Sequence, residues 1–113
     1  MGQQNRRLEG AVALVTGATR GIGKGIAIEL ASEGARVYFT GRSTDEDPTR
    51  PGTLAATAGE IEAVGGRGIG LRCDHHVDAD VAAVFERIEK NEGQLDILVN
   101  NATADLEQMI GKP

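Results

Sequence analysis

The stretch Val12-Ala13-Leu14-Val15-Thr16-Gly17-Ala18-Thr19-Arg20-Gly21-Ile22-Gly23 decides the fold. An apolar run of four residues reads as a buried strand, and the glycine-rich turn after it opens a helix. That order is how a parallel α/β sheet holds a dinucleotide. Each glycine has a task. Gly17 lets the chain leave the strand in a tight turn, Gly21 lets the backbone approach a pyrophosphate without a Cβ in the way, and Gly23 lets helix pack on strand. The helix start offers free N–H groups and a positive dipole end to phosphates. Behind the turn, Ile22, Ile26 and Leu30 fall four apart, with Ala27 and Ala31 beside them, which predicts one apolar helical face. Gly34 follows as a stop.

Working outward, strands and helices alternate. Strands are expected at about 11–16, 36–40, 68–73 and 95–100, and helices at about 21–33, 54–64 and from near Asp78 to Gly93. Asp78 reads as an N-cap, and Val81, Val84, Phe85 and Ile88 as one apolar face. Ser43–Thr53, with two prolines and three acids, reads as a mobile polar loop. The expectation is one α/β domain over 1–113, a doubly wound parallel sheet of order 3-2-1-4 with its first two helices on one face and the third on the other. Residues 1–8 and 103–113 are expected to fray.

Composition narrows the function. The net charge of −5 argues against nucleic acid and anionic membrane as partners. The single cysteine, Cys73, excludes an internal disulfide and fits a reducing compartment, and it reads as a small buried strand residue. The N-terminus lacks the apolar core of a signal peptide, and no apolar run approaches the roughly 20 residues of a membrane span. A cytoplasmic protein is the expectation. The adjacent His75 and His76 would point apart in an extended segment, which argues against a shared metal.

The glycine spacing, Thr-Gly-x-x-x-Gly-x-Gly, resembles the short-chain dehydrogenase/reductase family. Leu95-Asp96-Ile97-Leu98-Val99-Asn100-Asn101-Ala102 resembles that family's fourth strand and its Asn-Asn-Ala-Gly motif, in the family's order and at about its spacing. Thr103 stands where the family usually has glycine. The resemblance runs from about Leu8 to Ala102 and is nearest to the group called dehydrogenase/reductase member 1. It implies the N-terminal half of an oxidoreductase that transfers hydride between a nicotinamide dinucleotide and a carbonyl or alcohol. It also implies cofactor contacts from Gly17, Thr19, Arg20, Gly21, Ile22, Gly23, Arg42, Asp74 and Asn100.

An acid at the end of the second strand would grip the ribose hydroxyls of NAD; this sequence has Thr40-Gly41-Arg42 there. An arginine fork binds a 2′-phosphate and a carboxylate repels it, so Arg42, with Arg20 as a second cation, favours NADP over NAD. Asp74 would face the adenine amino group by resemblance, or cap a turn. Asn100 would contact the ribose and tie the sheet, or bond only to backbone. A nucleotide-binding fold of methyltransferase type is disfavoured by Gly41-Arg42 and by the Asn-Asn-Ala run.

The family's serine, tyrosine and lysine are not found in this sequence. The one tyrosine, Tyr38, lies in the second strand and is followed four residues later by Arg42. The expectation is a truncated chain without turnover of its own. The alternative is a non-catalytic dinucleotide-binding or interaction module that pairs with full-length relatives; on either reading the fourth strand is an uncapped edge that invites self-association.

Overall fold

The computed structural model describes residues 6–42, 49 and 52–102. The expected loop at 43–53 and the tail from Thr103 fall largely outside them. The elements are β1 (Val12–Val15), α1 (Gly21–Ser32), β2 (Arg36–Gly41), α2 (Leu54–Ala63), β3 (Arg67–Arg72), α3 (Asp78–Glu92) and β4 (Ile97–Val99). All pairings are parallel and the sheet order is β3-β2-β1-β4. Strand ends differ from the sequence expectation by one or two residues, which is ordinary.

The two helix layers follow from which face each strand residue takes. Ala13, Val15, Val37 and Phe39 point to one side and pack with Ala27, Ala31 and Ile61 of α1 and α2. Val12, Leu14 and Tyr38 point to the other and pack with Val84 and Ile88 of α3. Period-2 alternation thus feeds two cores, so β1 and β2 are buried on both faces and read as continuous apolar runs.

Two helical faces differ from their predicted form. Ile22 is 76 % exposed, and the buried residues of α1 are Gly23, Ala27 and Ala31. The small residues form the contact stripe because helix and strand approach closely there. Ile26 and Leu30 flank it, partly buried. Phe85 is 39 % exposed, so the buried line of α3 is Val84 and Ile88 with Val81 beside them.

Helix ends are set by local chemistry. Gly34 has φ +102, its N–H donates to Ala31 O at 3.0 Å, and Ala35 N–H donates to Leu30 O at 3.2 Å. That pair of bonds is a Schellman stop. The N-cap of α3 is Val77, without a side-chain bond. Asp78 is instead the first helical residue, where its charge faces the positive end of the dipole. Thr53 Oγ1 accepts the Ala56 N–H at 2.9 Å and starts α2. Ahead of β1, the Leu8 N–H donates to Glu33 O at 2.8 Å.

Tyr38 and Arg36 converge on Glu92. The tyrosine hydroxyl donates to Oε2 at 2.6 Å and the arginine to Oε1 at 2.8 Å. Both bonds hold the Glu92 carboxyl below its ordinary range, and burial pushes the Tyr38 hydroxyl up.

Candidate functional site: the glycine turn at the carboxyl end of the sheet

The site lies where β1 ends and the strand order reverses, between β2 on one side and β4 on the other. In open α/β sheets ligands bind at this place. The turn is held from three elements. Gly17 N–H donates to Thr40 Oγ1 at 3.0 Å, and Ala18 N–H donates to Thr40 O at 2.9 Å. Asn101 Nδ2 donates to Gly17 O at 2.9 Å. Thr57 Oγ1, from α2, donates to Ala18 O at 3.1 Å.

Gly17 and Gly21 have φ of +67 and +58, a conformation in which a side chain would be strained. They differ in their surroundings. A Cβ on Gly17 would stand 2.9 Å from Ala102 Cα, whereas one on Gly21 would meet nothing within 4 Å. Gly23 is a packing glycine, because a Cβ there would stand 2.3 Å from Gly17 O and 2.5 Å from Asn101 Nδ2. The start of α1 carries no side-chain cap and no acid in its first turn. Among the described residues no side chain claims its N-terminal N–H groups, as anion binding needs.

A pocket of about 380 Å³ opens beside the turn. Its walls include Gly17, Thr19, Arg20 and Arg42 of the predicted set. Gly21, Ile22, Gly23, Asp74 and Asn100 do not line it. Arg20 lies over Gly52, where a Cβ would stand 2.7 Å from Nε. Arg42 is exposed at the end of β2, and its carbonyl accepts Arg72 Nε at 3.4 Å.

Of the two readings of Asp74, the geometry displays the turn cap. Its Oδ1 accepts the His76 N–H at 3.0 Å, and that bond is the first cause of its lowered pKa. Asn100 Oδ1 accepts the Thr16 hydroxyl at 3.2 Å, so the residue ties β4 to β1. Cys73 is fully buried, and desolvation pushes its thiol up.

Sequence reading missed four residues. Thr16 Oγ1 accepts the N–H groups of Asn101 and Ala102 at 2.9 and 2.8 Å. Asn101 and Thr40 hold Gly17, and His75 Nε2 lies 2.9 Å from Thr40 Oγ1. His75 and His76 both border the pocket, because their segment is a turn and the alternation expected of an extended strand does not apply.

Comparison with known proteins agrees with this geometry. The sequence matches the short chain dehydrogenase family over residues 11–112. The chain belongs to the short-chain dehydrogenase/reductase family. It is 43 % identical to mouse Dehydrogenase/reductase SDR family member 1 over 104 residues, which cover 91 % of this chain and 31 % of that protein. It is 39 % identical to zebrafish Hydroxysteroid dehydrogenase-like protein 2 over 102 residues, covering 90 % of this chain and 25 % of the relative. Among solved structures, a metagenomic short-chain oxidoreductase in complex with NADP is 41 % identical, with a TM-score of 0.76 over 86 % of this chain and 41 % of that one. The chain thus spans between a quarter and a third of the length of these curated relatives. Among the described residues, no helix is long and apolar enough to cross a membrane.

Proposed function

We propose that this chain forms the NADP(H)-binding part of a short-chain oxidoreductase acting on a carbonyl or alcohol. The observation that carries the reading is the placement of Arg20 and Arg42 on the same pocket as the Gly17 turn. Two guanidinium groups on one pocket wall, Arg20 from the start of α1 and Arg42 from the end of β2, suit a 2′-phosphate, where an acid would suit the bare ribose of NAD. The relative bound to NADP supports the same choice.

The residues present fit such a dinucleotide. The open space over Gly21 admits a pyrophosphate, and the uncapped start of α1 supplies N–H donors to it. Asn100, fixed by Thr16, would meet the nicotinamide-side ribose. Asp74 would accept from adenine only through the carboxylate oxygen that His76 leaves free. When bound, the nicotinamide supplies the hydride; this chain's residues bind, orient and screen it. Tyr38 has no part in proton transfer in this reading, since its hydroxyl is buried and committed to Glu92. The acid of the reaction would come from a residue outside these 113, and we place the protein in the cytoplasm.

Calorimetry tests the cofactor assignment. NADPH is expected to bind more tightly than NADH, and Arg42→Ala and Arg20→Ala each to weaken NADPH about tenfold, roughly 1.4 kcal/mol, with NADH unchanged. Equal binding of NADPH by the parent and both variants overturns it.

A further inference from the structure

We infer that His75 is a positioning residue for the dinucleotide cradle: its Nε2 accepts the Thr40 hydroxyl proton, and this fixes Thr40 to receive the Gly17 amide. The binding arm of the test rests on the proposed function; the geometry does not.

Proton bookkeeping at Thr40 leads to this assignment. Thr40 is fully buried, so both its hydroxyl oxygen and its hydroxyl proton need partners. The oxygen already accepts the Gly17 N–H at 3.0 Å. Among the described residues, the only other polar atom bonded to the hydroxyl is His75 Nε2, at 2.9 Å. If Nε2 carried a proton, the threonine oxygen would receive two donors and its own proton would have no acceptor. If Nε2 carries the lone pair, the threonine oxygen, its proton and Nε2 are all satisfied. The imidazole is then neutral with its proton on Nδ1.

The surroundings agree. His75 is partly buried, and desolvation, the largest effect, holds its pKa below the ordinary histidine value. Asp74 and Asp80 pull the other way, and His76 adds to the lowering. Arg42 and Arg20 share the pocket wall, which adds no reason to hold a further cation there.

The role follows from the order of bonds. Gly17 is fixed on one side by Thr40 and on the other by Asn101. A hydroxyl without a fixed acceptor can swing between donors, and a fixed one cannot. His75 thereby sets the shape of a turn 58 residues earlier in the chain without needing to touch the ligand.

Nitrogen-15 correlation spectra of the ligand-free chain near neutral pH test the tautomer. A bare Nε2 with protonated Nδ1 is expected, and a protonated Nε2 overturns the inference. Amide exchange tests the consequence. His75→Leu is expected to speed exchange at Gly17 about tenfold, and His75→Gln, whose side-chain oxygen can replace Nε2 as acceptor, to stay within about threefold of the parent. Parent-rate exchange at Gly17 in His75→Leu overturns it. Should His75→Leu not fold, the tautomer in the parent decides. For binding, His75→Leu and Thr40→Val are expected to weaken NADP by similar factors, and the double variant by no more than either; fully additive losses overturn the coupling. A parent that binds no NADP would sink the proposed function and leave the tautomer and exchange results to judge His75.

Discussion

Thr16 Oγ1 stands 2.9 Å from the backbone nitrogen of Asn101, across 85 residues of sequence. The same oxygen takes the Ala102 N–H at 2.8 Å, while its proton is within reach of Asn100 Oδ1 and Val99 O. One nearly buried hydroxyl therefore satisfies the chain as it leaves β4.

Thr16→Val removes that hydroxyl at nearly constant volume. The Ala102 N–H loses its acceptor and the Asn101 N–H keeps only Val99 O, at 3.1 Å, and an orphaned buried N–H costs about 1–3 kcal/mol. The expected loss is roughly 2–3 kcal/mol in urea unfolding, with Thr16→Ser costing below about 1 kcal/mol. Equal midpoints for Val and Ser would show that water replaces the bond.

Two glycines of α1 make a matched pair. Gly23→Ala forces a Cβ onto backbone and amide atoms, and is expected to cost at least about 1–3 kcal/mol and to weaken dinucleotide binding. Gly25→Ala meets nothing within 4 Å and has no positive φ, so it is expected to be neutral or to stabilise by up to about 1 kcal/mol. Thermal unfolding of both variants checks the contrast.

Thr57→Val leaves the Ala18 carbonyl without its side-chain donor inside the core. A loss of about 1–2 kcal/mol is expected. The turn should loosen as well, visible as faster amide exchange at Gly17 and Ala18.

Acid sensitivity has a definite sign. Glu92 is held below its ordinary pKa first by the Tyr38 hydroxyl and then by Arg36. The unfolded chain therefore takes up its proton first as pH falls, and the stability from Glu92, present above the ordinary carboxylate value, is lost as pH drops through the depressed one. His75, also lowered, acts in the same direction in a higher window, which opens near the ordinary histidine value of about 6.5. Stability measured from pH 7.5 downward should fall in two stages. Glu92→Gln should reduce the lower stage, to which the lowered Asp74 and Asp96 also contribute, and His75→Gln should flatten the upper; unchanged profiles would contradict both assignments.

Much of this architecture was legible because its signals are local. The β1 run, the glycine turn and the stop at Gly34 each depend on neighbours within a few residues, and alternation with helices then dictates a parallel sheet. The web around Thr16, Thr40 and Asn101 was not legible, because its bonds span 23 to 86 residues and a threonine carries no mark of its partner. Ile22 misled for a different reason. Helical periodicity assigns a face but not a depth, and in the first turn of α1 the face is taken by Gly23.

The clamp on Gly17 also bears on how the chain folds. Its two bonds reach β2, 23 residues on, and the segment after β4, 84 residues on. The cradle can take its shape only when three strands lie side by side, and such distant closures come at a high entropic cost. A species lacking β4 would hold a strand and a helix yet present no finished receptor. Ligand should therefore slow unfolding while leaving the refolding rate nearly unchanged, the signature of contacts made after the rate-limiting barrier.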